Sequence, residues 1–431
     1  HQKHKQIIEN LRRASKISGR EIAILQDLQG PKIRIGKVEN DAVALENGDI
    51  FVITTNEIEL GNSKIVSTNH KNLPREATTG ATILIDDGYI ILDIIEVKET
   101  DVVTRVRKGG VLKSNKGLVI PRSKTIAPSI TTKDIEDLKF GIENDIDLVA
   151  LSFVRSSKDI VELRGMMKIY GKESPIIAKI ERMEALENID EIIQESDGIM
   201  VARGDLGLEI EAEKVPIIQK EIIKKCRYLG KPVIIATQML ESMITNPRPT
   251  RAEASDVANA VFDGADALML SGETSVGSYP IESVDYMNKI IREAEREDFA
   301  GNYSKKGIVF QSSEIFDAIA NASTLLSEQI KAKGIIALTK NGFTAINLAK
   351  YRPRIPIIAF TDSIQTVRKL NFVWGVESFF FPNSEDETDV NKIIDFIHRN
   401  KIGKSKDKFV LASCSPIYSP ASNNLIRILE I

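Results

Sequence analysis

Short apolar segments alternate with helical segments along most of this sequence, and that alternation constrains the fold more than any other feature. The predicted strands end in polar or charged residues and lie at Ile22–Leu28, Leu148–Phe153, Ile176–Glu181, Gly198–Asp205, Val233–Gln238 and Ala267–Glu273. The predicted helices between them lie at Thr132–Asn144, Ser157–Tyr170, Met183–Glu195, Ile217–Leu229 and Arg251–Phe262. Strand and helix in turn indicate parallel βα units. This pattern favours a (β/α) barrel, although an open doubly wound sheet shares it.

The segment from Ile35 to Lys124 breaks this rhythm. Its apolar runs are short, are separated by Gly, Asn and Asp, and lie at Ile50–Thr54, Ala81–Asp86, Ile90–Val97 and Val102–Arg107. Such spacing predicts a small antiparallel β domain. Because it is joined at two points to the rim of the barrel, we expect it to act as a lid that excludes water.

A second α/β pattern follows the polar stretch Asp298–Lys306, which we interpret as a linker. Its helices are predicted at Glu314–Glu328, Phe343–Lys350, Ile364–Leu370 and Val390–His398, and its strands at Gly334–Leu338, Ile357–Phe360, Glu377–Phe381 and Lys408–Ala412. We therefore predict barrel segments at 1–34 and 125–298, a lid at 35–124 and a C-terminal α/β domain at 307–431.

Composition excludes several classes of function. Among 431 residues, 58 Lys and Arg oppose 61 Asp and Glu, so no basic patch for nucleic acid or a membrane surface is indicated. Two cysteines, Cys226 and Cys414, predict neither a disulfide framework nor a zinc site. No apolar run approaches the roughly 18 residues of a membrane span. We expect a soluble, cytoplasmic protein.

Charged side chains follow two neighbouring predicted strands. Lys179 and Glu181 are two residues apart, so they face the same way on a strand. Asp205 ends the next strand, and Gly204 allows a ligand to approach the backbone there. Glu181 and Asp205 are hard oxygen ligands suited to Mg²⁺ or Mn²⁺. A buried structural ion pair explains the same residues equally well at this point.

Other strand ends carry weaker signals. Thr237 is suited to holding a carboxylate or to capping a helix, and Ser271 to a proton relay or to a polar loop. Near Asp27, the Arg34 guanidinium suits phosphate oxygens or a hinge salt bridge. In the lid, Asp87 and Lys116 lie in predicted hairpin turns, with nucleotide contact as the second interpretation. No Walker A or GxGxxG sequence occurs, so we expect that a nucleotide would not be held by a phosphate-binding loop of either of those two types.

These segments together resemble the pyruvate kinase family. The matching stretches are DLQGPKIR, IIAKIER, GIMVARGDLGLEI and KPVIIATQMLESMITNPRPTRAEASDVANAVFDGADALMLSGETSVGSYP, and the resemblance covers nearly the whole chain. It implies a (β/α)₈ TIM barrel with an inserted β-barrel lid and a C-terminal α/β domain. It also implies transfer of the phosphoryl group of phosphoenolpyruvate to ADP, giving ATP and pyruvate.

The resemblance implies a role for each matching residue. Lys179 neutralises the transferring phosphoryl group, while Thr237 and Ser271 form the proton route to the enolate. The metal site comprises Glu181 and Asp205. Substrate contacts come from Ser152, Lys179, Ala202, Arg203, Gly204, Asp205 and Thr237. Nucleotide contacts come from Arg34, Asp87 and Lys116.

Two departures from the family pattern matter. The family barrel begins with two strands that precede the residues given, so we expect six strands, an open edge and a truncated barrel. In addition, Lys32 stands where many members have Glu near the monovalent cation site of Asp27. Because an ammonium can replace K⁺ in charge, we predict an enzyme that does not require K⁺.

The C-terminal domain of the family often binds a phosphorylated effector. Thr339, Lys340, Asn341 and Thr344 lie on a strand-to-helix turn that suits phosphate, although a plain loop fits as well. The resemblance also implies a homotetramer. Two alternatives to an active kinase remain at this point: a catalytically incomplete fragment or non-catalytic subunit of the same family, and a Mg²⁺-dependent barrel lyase acting on a 2-oxo acid.

Overall fold

A computed structural model describes residues 1–123, 128–299, 314–382, 390–413 and 424–431. Its largest unit contains a sheet of six parallel strands whose order in space follows their order along the chain. The strands are Leu25–Leu28, Leu148–Leu151, Ile176–Ile180, Gly198–Ala202, Val233–Ala236 and Ala267–Leu268. The first and last strands are the two edges, which agrees with the six strands and the open edge expected of the barrel part.

Helices cover the outer face of this sheet. They are Gln2–Ser18, Thr132–Glu143, Ser157–Ile169, Met183–Glu187, Ile189–Glu195, Arg203–Glu209, Val215–Leu229, Arg251–Asp263, Gly272–Ser275 and Pro280–Phe299, with short 3₁₀ turns at Ala212–Lys214 and Glu241–Ile244. The core between strands and helices is aliphatic, with Leu151, Ile180 and Ile235 fully buried. Three of the helices begin with capping boxes, including one that pairs Thr250 with Glu253.

Several predicted element limits are wrong. The strand expected to reach Asp205 ends at Ala202, because Arg203 begins a short helix. The strand expected to reach Glu273 ends at Leu268, because the Glu273 carboxylate turns back to accept a hydrogen bond from Ser271 N at 2.7 Å. The helix expected over 183–195 breaks at Asn188, whose amide instead donates to Arg155 O at 2.9 Å.

The inserted domain is a β structure, as predicted, with more strands than the sequence indicated. They are Ala42–Leu45, Ile50–Thr54, Ile65–Ser67, Thr82–Ile85, Ile90–Val97, Asp101–Lys108, Gly110–Lys113 and Leu118–Val119, with a 3₁₀ turn at Glu39–Asp41 and a helix at Leu73–Glu76. Ile65–Ser67 pairs in parallel, so the domain is not purely antiparallel. Phe51, Ile53 and Leu92 are fully buried in its separate core.

The C-terminal domain has a sheet of five strands in the spatial order Val376–Phe380, Ile357–Thr361, Gly334–Leu338, Lys408–Ser413 and Leu425–Glu430. The last strand is antiparallel and was not predicted. The helices are Ile315–Gln329, Phe343–Lys350, Ile364–Lys369 and Val390–Arg399, with a 3₁₀ turn at Leu370–Phe372. Helix Pro280–Phe299 enters the predicted linker, and the rest of that linker lies outside the described residues.

Some sequence predictions fall on parts of the chain that the structure does not describe. The domain limits near residues 125 and 307 and the thiol of Cys414 belong to this group. Cys226 is a buried free thiol. Within the described ranges, no helix is both long and apolar enough to cross a membrane.

A buried ion pair joins the C-terminal domain to the barrel. Arg352 donates to Asp266 Oδ1 at 2.9 Å and to Gly264 O at 2.6 Å, and its guanidinium lies 4.9 Å from the centre of the Trp374 ring. Asp266 directly precedes the last barrel strand and also accepts from Val233 N at 3.0 Å. The contact therefore anchors the C-terminal domain at the amino ends of two barrel strands.

Candidate active site

Four polar side chains meet at the carboxyl ends of three neighbouring barrel strands. The Lys179 ammonium lies 3.1 Å from both carboxylate oxygens of Asp27, 2.7 Å from Ser152 Oγ and 3.1 Å from Glu181 Oε1. Ser152 Oγ in turn donates to Asp27 Oδ1 at 3.3 Å. The two-residue spacing of Lys179 and Glu181 thus places their charged groups together, as predicted.

Glu181 is the most deeply buried of these groups, with 1% of its surface exposed. Its Oε2 accepts a hydrogen bond from Phe153 N at 2.7 Å, in a turn where Phe153 adopts a left-handed backbone with φ of 55°. Burial raises the pKa of Glu181 and the nearby Asp205 raises it further, against the opposing effect of Lys179. Burial alone lowers the pKa of Lys179, but Glu181 and Asp27 outweigh it and leave that pKa raised.

Asp205 faces the same cleft from the short helix Arg203–Glu209. The Lys32 ammonium lies 3.6 Å from Asp205 Oδ1. Sequence analysis associated Lys32 with Asp27, whereas the structure places Lys179 against Asp27 and Lys32 against Asp205. The tight Gly30–Pro31 turn, with Gly30 at φ of 66°, turns the chain before Lys32.

Glu181 and Asp205 fit a divalent cation chemically. Both are carboxylates that line one cleft, and within the described ranges the ion-pair partner of Asp205 is Lys32, at 3.6 Å. The described residues contain no group of three or more acidic, His or Cys side chains spaced for a metal. Mg²⁺ suits a site with two protein carboxylates, because it usually keeps several waters and takes ligands from substrate phosphate.

Thr237 follows the strand Val233–Ala236 at the same edge. Its Oγ1 accepts from Gly204 N at 2.8 Å and donates to Ala236 O at 2.6 Å. A Cβ atom on Gly204 would lie 3.4 Å from Thr237 Oγ1, which is ordinary van der Waals contact, so this approach does not itself require glycine. The predicted backbone site at 202–205 and the predicted hydroxyl of Thr237 are therefore direct neighbours.

Ser271 presents a buried hydroxyl with no hydrogen-bond partner in the described structure. Its backbone is held by Glu273, which accepts from Ser271 N at 2.7 Å and from Leu240 N at 3.0 Å. Glu273 is 1% exposed and joins the loop after Thr237 to the loop of Ser271. The sequence placed Glu273 in a segment suited to a polar loop or a proton relay, and gave no indication that its carboxylate joins the two loops.

The lid contributes a second set of charges. Asp86 and Asp87, both with φ of 53°, form the hairpin turn that the sequence predicted. Lys116 Nζ lies 2.8 Å from Asp86, an ion pair that sequence analysis did not predict, while Arg34 donates to Asn115 O at 2.9 Å. Asp87 lines the cleft that also contains Glu181 and Asp205.

The lid is tied to the barrel through Glu209. Its carboxylate accepts from Arg122 N at 3.1 Å, at the end of the lid, and lies 3.1 Å from Arg182 Nη1. Arg182 also donates to Ser123 O at 2.7 Å. Burial raises the pKa of Glu209, with Arg182 opposing that shift. Helix Arg203–Glu209, which carries Asp205 in its first turn, therefore ends where the chain returns from the lid to the barrel.

The predicted effector residues lie on one turn of the C-terminal domain, around Gly342 with φ of 91°. Their side chains largely satisfy the turn itself: Thr339 Oγ1 accepts from Gly342 N at 3.0 Å and Asn341 Oδ1 from Phe343 N at 3.1 Å. Thr344 Oγ1 donates to Leu338 O at 3.3 Å, and Lys340 O accepts from Thr366 Oγ1 at 2.9 Å.

Comparison with known proteins identifies the family. The family model described as "Pyruvate kinase, barrel domain" matches residues 1–284, and "Pyruvate kinase, alpha/beta domain" matches residues 317–429. This chain belongs to the pyruvate kinase family. The family explains why a lysine, two acidic residues and two hydroxyls converge at one edge of the barrel.

Individual relatives agree with that assignment. The chain is 44% identical to pyruvate kinase of Thermotoga maritima over 98% of its own length and 89% of the relative. It is 42% identical to pyruvate kinase of Mycobacterium tuberculosis, covering 99% of this chain and 90% of the relative. A pyruvate kinase crystal structure from Cryptosporidium parvum superposes with a TM-score of 0.91 at 35% identity, covering all of this chain and 88% of that one.

Proposed function

We propose that this chain transfers the phosphoryl group of phosphoenolpyruvate to ADP. An oxygen of the ADP β-phosphate attacks phosphorus, the bond from phosphorus to the enol oxygen breaks, and the resulting enolate takes a proton at its terminal carbon to become pyruvate. The observation that carries the proposal is the contact of Lys179 with Glu181, beside Asp205, in a chain of the pyruvate kinase family.

The charged groups support the first step. We assign Lys179 to the transferring phosphoryl group, whose negative charge the ammonium would stabilise in a loose transition state. Glu181 and Asp205 would hold Mg²⁺ or Mn²⁺, which supplies charge neutralisation and orients phosphate oxygens. Ser152 and the backbone of Ala202, Arg203, Gly204 and Asp205, together with Thr237, would bind phosphoenolpyruvate.

The hydroxyls support the second step. Thr237 Oγ1 takes part in two hydrogen bonds that it could exchange for a substrate or a water. Ser271 Oγ is buried and has no hydrogen-bond partner among the described residues, so it is available to a substrate or a water. We assign these two hydroxyls to the route that delivers a proton to the enolate. Asp87, Arg34 and Lys116 are assigned to ADP from the lid side, where Asp87 reaches the cleft.

Lys32 supports independence from K⁺. Its ammonium lies 3.6 Å from Asp205, so a positive charge is covalently fixed at the edge of the site. Asp27, the expected ligand of a monovalent cation, is already neutralised by Lys179 at 3.1 Å. We infer that the chain works without added K⁺.

The remaining assignments rest on the family rather than on contacts. We propose a homotetramer in the cytoplasm, with a phosphorylated effector bound near Thr339, Lys340, Asn341 and Thr344. For an effector to use the amides of Gly342 and Phe343, the side chains of Thr339 and Asn341 would have to release them.

The test is formation of pyruvate and ATP from phosphoenolpyruvate, ADP and Mg²⁺, with and without K⁺. We expect activity in both conditions and a loss of at least about 100-fold in kcat for Glu181→Gln, since one carboxylate of the metal pair is removed. Glu162→Gln is the matched control, because Glu162 is exposed on an outer barrel helix. An inactive wild-type chain, or a fully active Glu181→Gln variant, would contradict the proposal.

A further inference from the structure

The turn that presents Thr237 has an unfavourable backbone. Thr237 and Gln238 are consecutive non-glycine residues with φ of 68° and 55°, in the left-handed region. That region is disfavoured for side chains with a Cβ, and most of all for a β-branched residue such as threonine. Such a conformation persists only where the surroundings hold it in place.

The Arg203 side chain holds this turn. Its Nη2 donates to Thr237 O at 2.7 Å and to Gln238 O at 3.1 Å, and its Nε donates to Thr237 O at 3.3 Å. Nη1 donates to Asp256 Oδ2 at 2.7 Å, on helix Arg251–Asp263. Only 10% of the Arg203 side chain is exposed. One rigid guanidinium therefore links the turn to a carboxylate on a separate helix.

The contact between the two loops is reciprocal. While the Arg203 side chain binds the carbonyls of the Thr237 turn, Gly204 N donates to Thr237 Oγ1 at 2.8 Å. The hydroxyl and the carbonyl of Thr237 are thus both fixed by the first residues of helix Arg203–Glu209. Displacement of Arg203 would move the hydroxyl relative to Lys179, which stands on a different strand.

We propose that the Arg203 side chain, oriented by Asp256, is a positioning element that sets the place of the Thr237 hydroxyl for proton delivery to the enolate. We name Arg203, Asp256 and the carbonyls of Thr237 and Gln238 the arginine clamp. The Arg203 side chain donates to the backbone carbonyls of Thr237 and Gln238 and not to the Thr237 hydroxyl, so it acts through Thr237. The inference rests on the proposed function, in which Thr237 takes part in the proton route.

The decisive experiment is a double-mutant cycle with Arg203→Lys and Thr237→Val. Two rates are measured: kcat for pyruvate formation, and the exchange of pyruvate methyl protons with D₂O in the presence of Mg²⁺ and inorganic phosphate. We expect Arg203→Lys to lower both rates about 10-fold to 100-fold, because a lysine cannot reproduce the planar fork of donors. The KM for phosphoenolpyruvate should change less than threefold, which separates lost positioning from lost binding.

The double variant distinguishes the clamp from a general structural role. If Arg203 acts through Thr237, the double variant will be no slower than Thr237→Val alone. If the losses of activity caused by the two single substitutions instead multiply in the double variant, the clamp would be overturned. Arg164→Lys is the matched control, since Arg164 also donates to a carbonyl, Glu195 O at 2.8 Å, and to a carboxylate, Asp197 at 3.1 Å, far from the catalytic edge.

A second variant keeps the test decisive if Arg203→Lys folds poorly. Asp256→Asn retains an oxygen acceptor but removes the charge that orients Arg203, so we expect a severalfold loss that disappears in the Thr237→Val background. In the same series, Gln238→Gly should recover severalfold of the Arg203→Lys loss, because glycine adopts a left-handed backbone freely. A loss that persists in the Thr237→Val background, or no recovery by Gln238→Gly, would contradict the clamp.

Failure of the inference and failure of the proposed function give different results. A wild-type chain that forms no pyruvate would overturn the proposed function. A wild-type chain that is active, with Arg203→Lys equally active or with multiplicative losses in the double variant, would overturn the clamp alone.

Discussion

Lys179 contacts two carboxylates at the proposed catalytic edge. It contacts Glu181, which is almost completely buried, and Asp27 on the neighbouring strand. We expect Lys179→Met to reduce kcat by about 1,000-fold, through loss of transition-state stabilisation. It should also destabilise the fold by about 3 kcal/mol or more, because it leaves a buried carboxylate without its partner.

Denaturant unfolding with and without Mg²⁺ checks the second effect. A divalent cation at Glu181 would replace part of the lost charge, so Mg²⁺ should stabilise Lys179→Met more than it stabilises the wild-type chain. Lys168→Met on an outer helix serves as the control. Equal unfolding free energies for wild type and Lys179→Met would contradict the argument.

Lys32 gives a prediction about the cation requirement. Replacing it by Glu reverses the charge that now lies 3.6 Å from Asp205. We expect Lys32→Glu to have little activity without K⁺ and to recover when K⁺ is added, while Na⁺ of equal ionic strength restores less. Assays across K⁺ concentrations measure this, and a variant equally active without K⁺ would show that Lys32 does not act as the cation.

At this scale the sequence predicted the Lys179 and Glu181 pair, because the two-residue period of a strand fixes which side chains share a face. It did not predict that Lys32 faces Asp205, since the Gly30–Pro31 turn decides that direction. Nor did it predict Glu273, whose role depends on a hydrogen bond to Leu240 N across 33 residues of sequence.

Among the helices, Arg251–Asp263 is stabilised by hydrogen bonds to a carboxylate in its first turn. Glu253 accepts hydrogen bonds from Thr250 N and Ser242 N, both at 2.7 Å. Burial alone would raise the pKa of Glu253, but these hydrogen bonds and that of the Ser242 hydroxyl outweigh burial and leave the pKa lowered. The charged form is therefore the one that the folded state favours.

We predict that Glu253→Gln destabilises the fold by about 1 kcal/mol at neutral pH. Because the folded pKa is below the unfolded value, this stabilisation is complete above the unfolded pKa near 4.3 and is lost as the pH falls through the folded pKa. The difference between wild type and variant should therefore shrink on acidification. Thermal unfolding from pH 7 to pH 3 measures it, with Glu282→Gln, exposed at a helix start, as control.

Element type was predictable from periodicity, while element ends were not. Strand Gly198–Ala202 has the apolar run that the sequence showed. Its end is set by Arg203, whose side chain donates hydrogen bonds to the turn at Thr237. The antiparallel strand Leu425–Glu430 has no helix before it in the described chain to complete a βα pattern, so only its pairing with Lys408–Ser413 reveals it.

For the molecule as a whole, Arg352 provides a buried link between the C-terminal domain and the barrel, in addition to the ion pair of Arg368 with Glu21 at 2.8 Å. The side chains of Arg352 and Asp266 are only 4% and 6% exposed, so the ion pair is almost completely shielded from solvent. We expect Arg352→Met to destabilise the fold by about 3–5 kcal/mol, because the buried Asp266 carboxylate would lose its cationic partner. Calorimetry should then resolve separate transitions for the barrel and the C-terminal domain.

Arg296→Met is the control for that experiment, since Arg296 forms an exposed pair with Glu293 at 3.0 Å and should contribute less than 1 kcal/mol. A single unshifted transition in Arg352→Met would show that the domains are held by other contacts. Domain order along the chain was predictable from sequence, whereas this contact was not, because Arg352 and Asp266 are distant in sequence and belong to different periodic patterns.

Helix Arg203–Glu209 connects the proposed metal site with the contact between the lid and the barrel. Asp205 stands in its first turn and Glu209, which holds the lid at Arg122 N, at its last residue. A rigid helix of seven residues cannot move one end without the other. If Glu181 and Asp205 hold a cation and the lid closes on a nucleotide, as proposed, the two events would therefore be thermodynamically linked, and each ligand would increase the affinity for the other by the same factor.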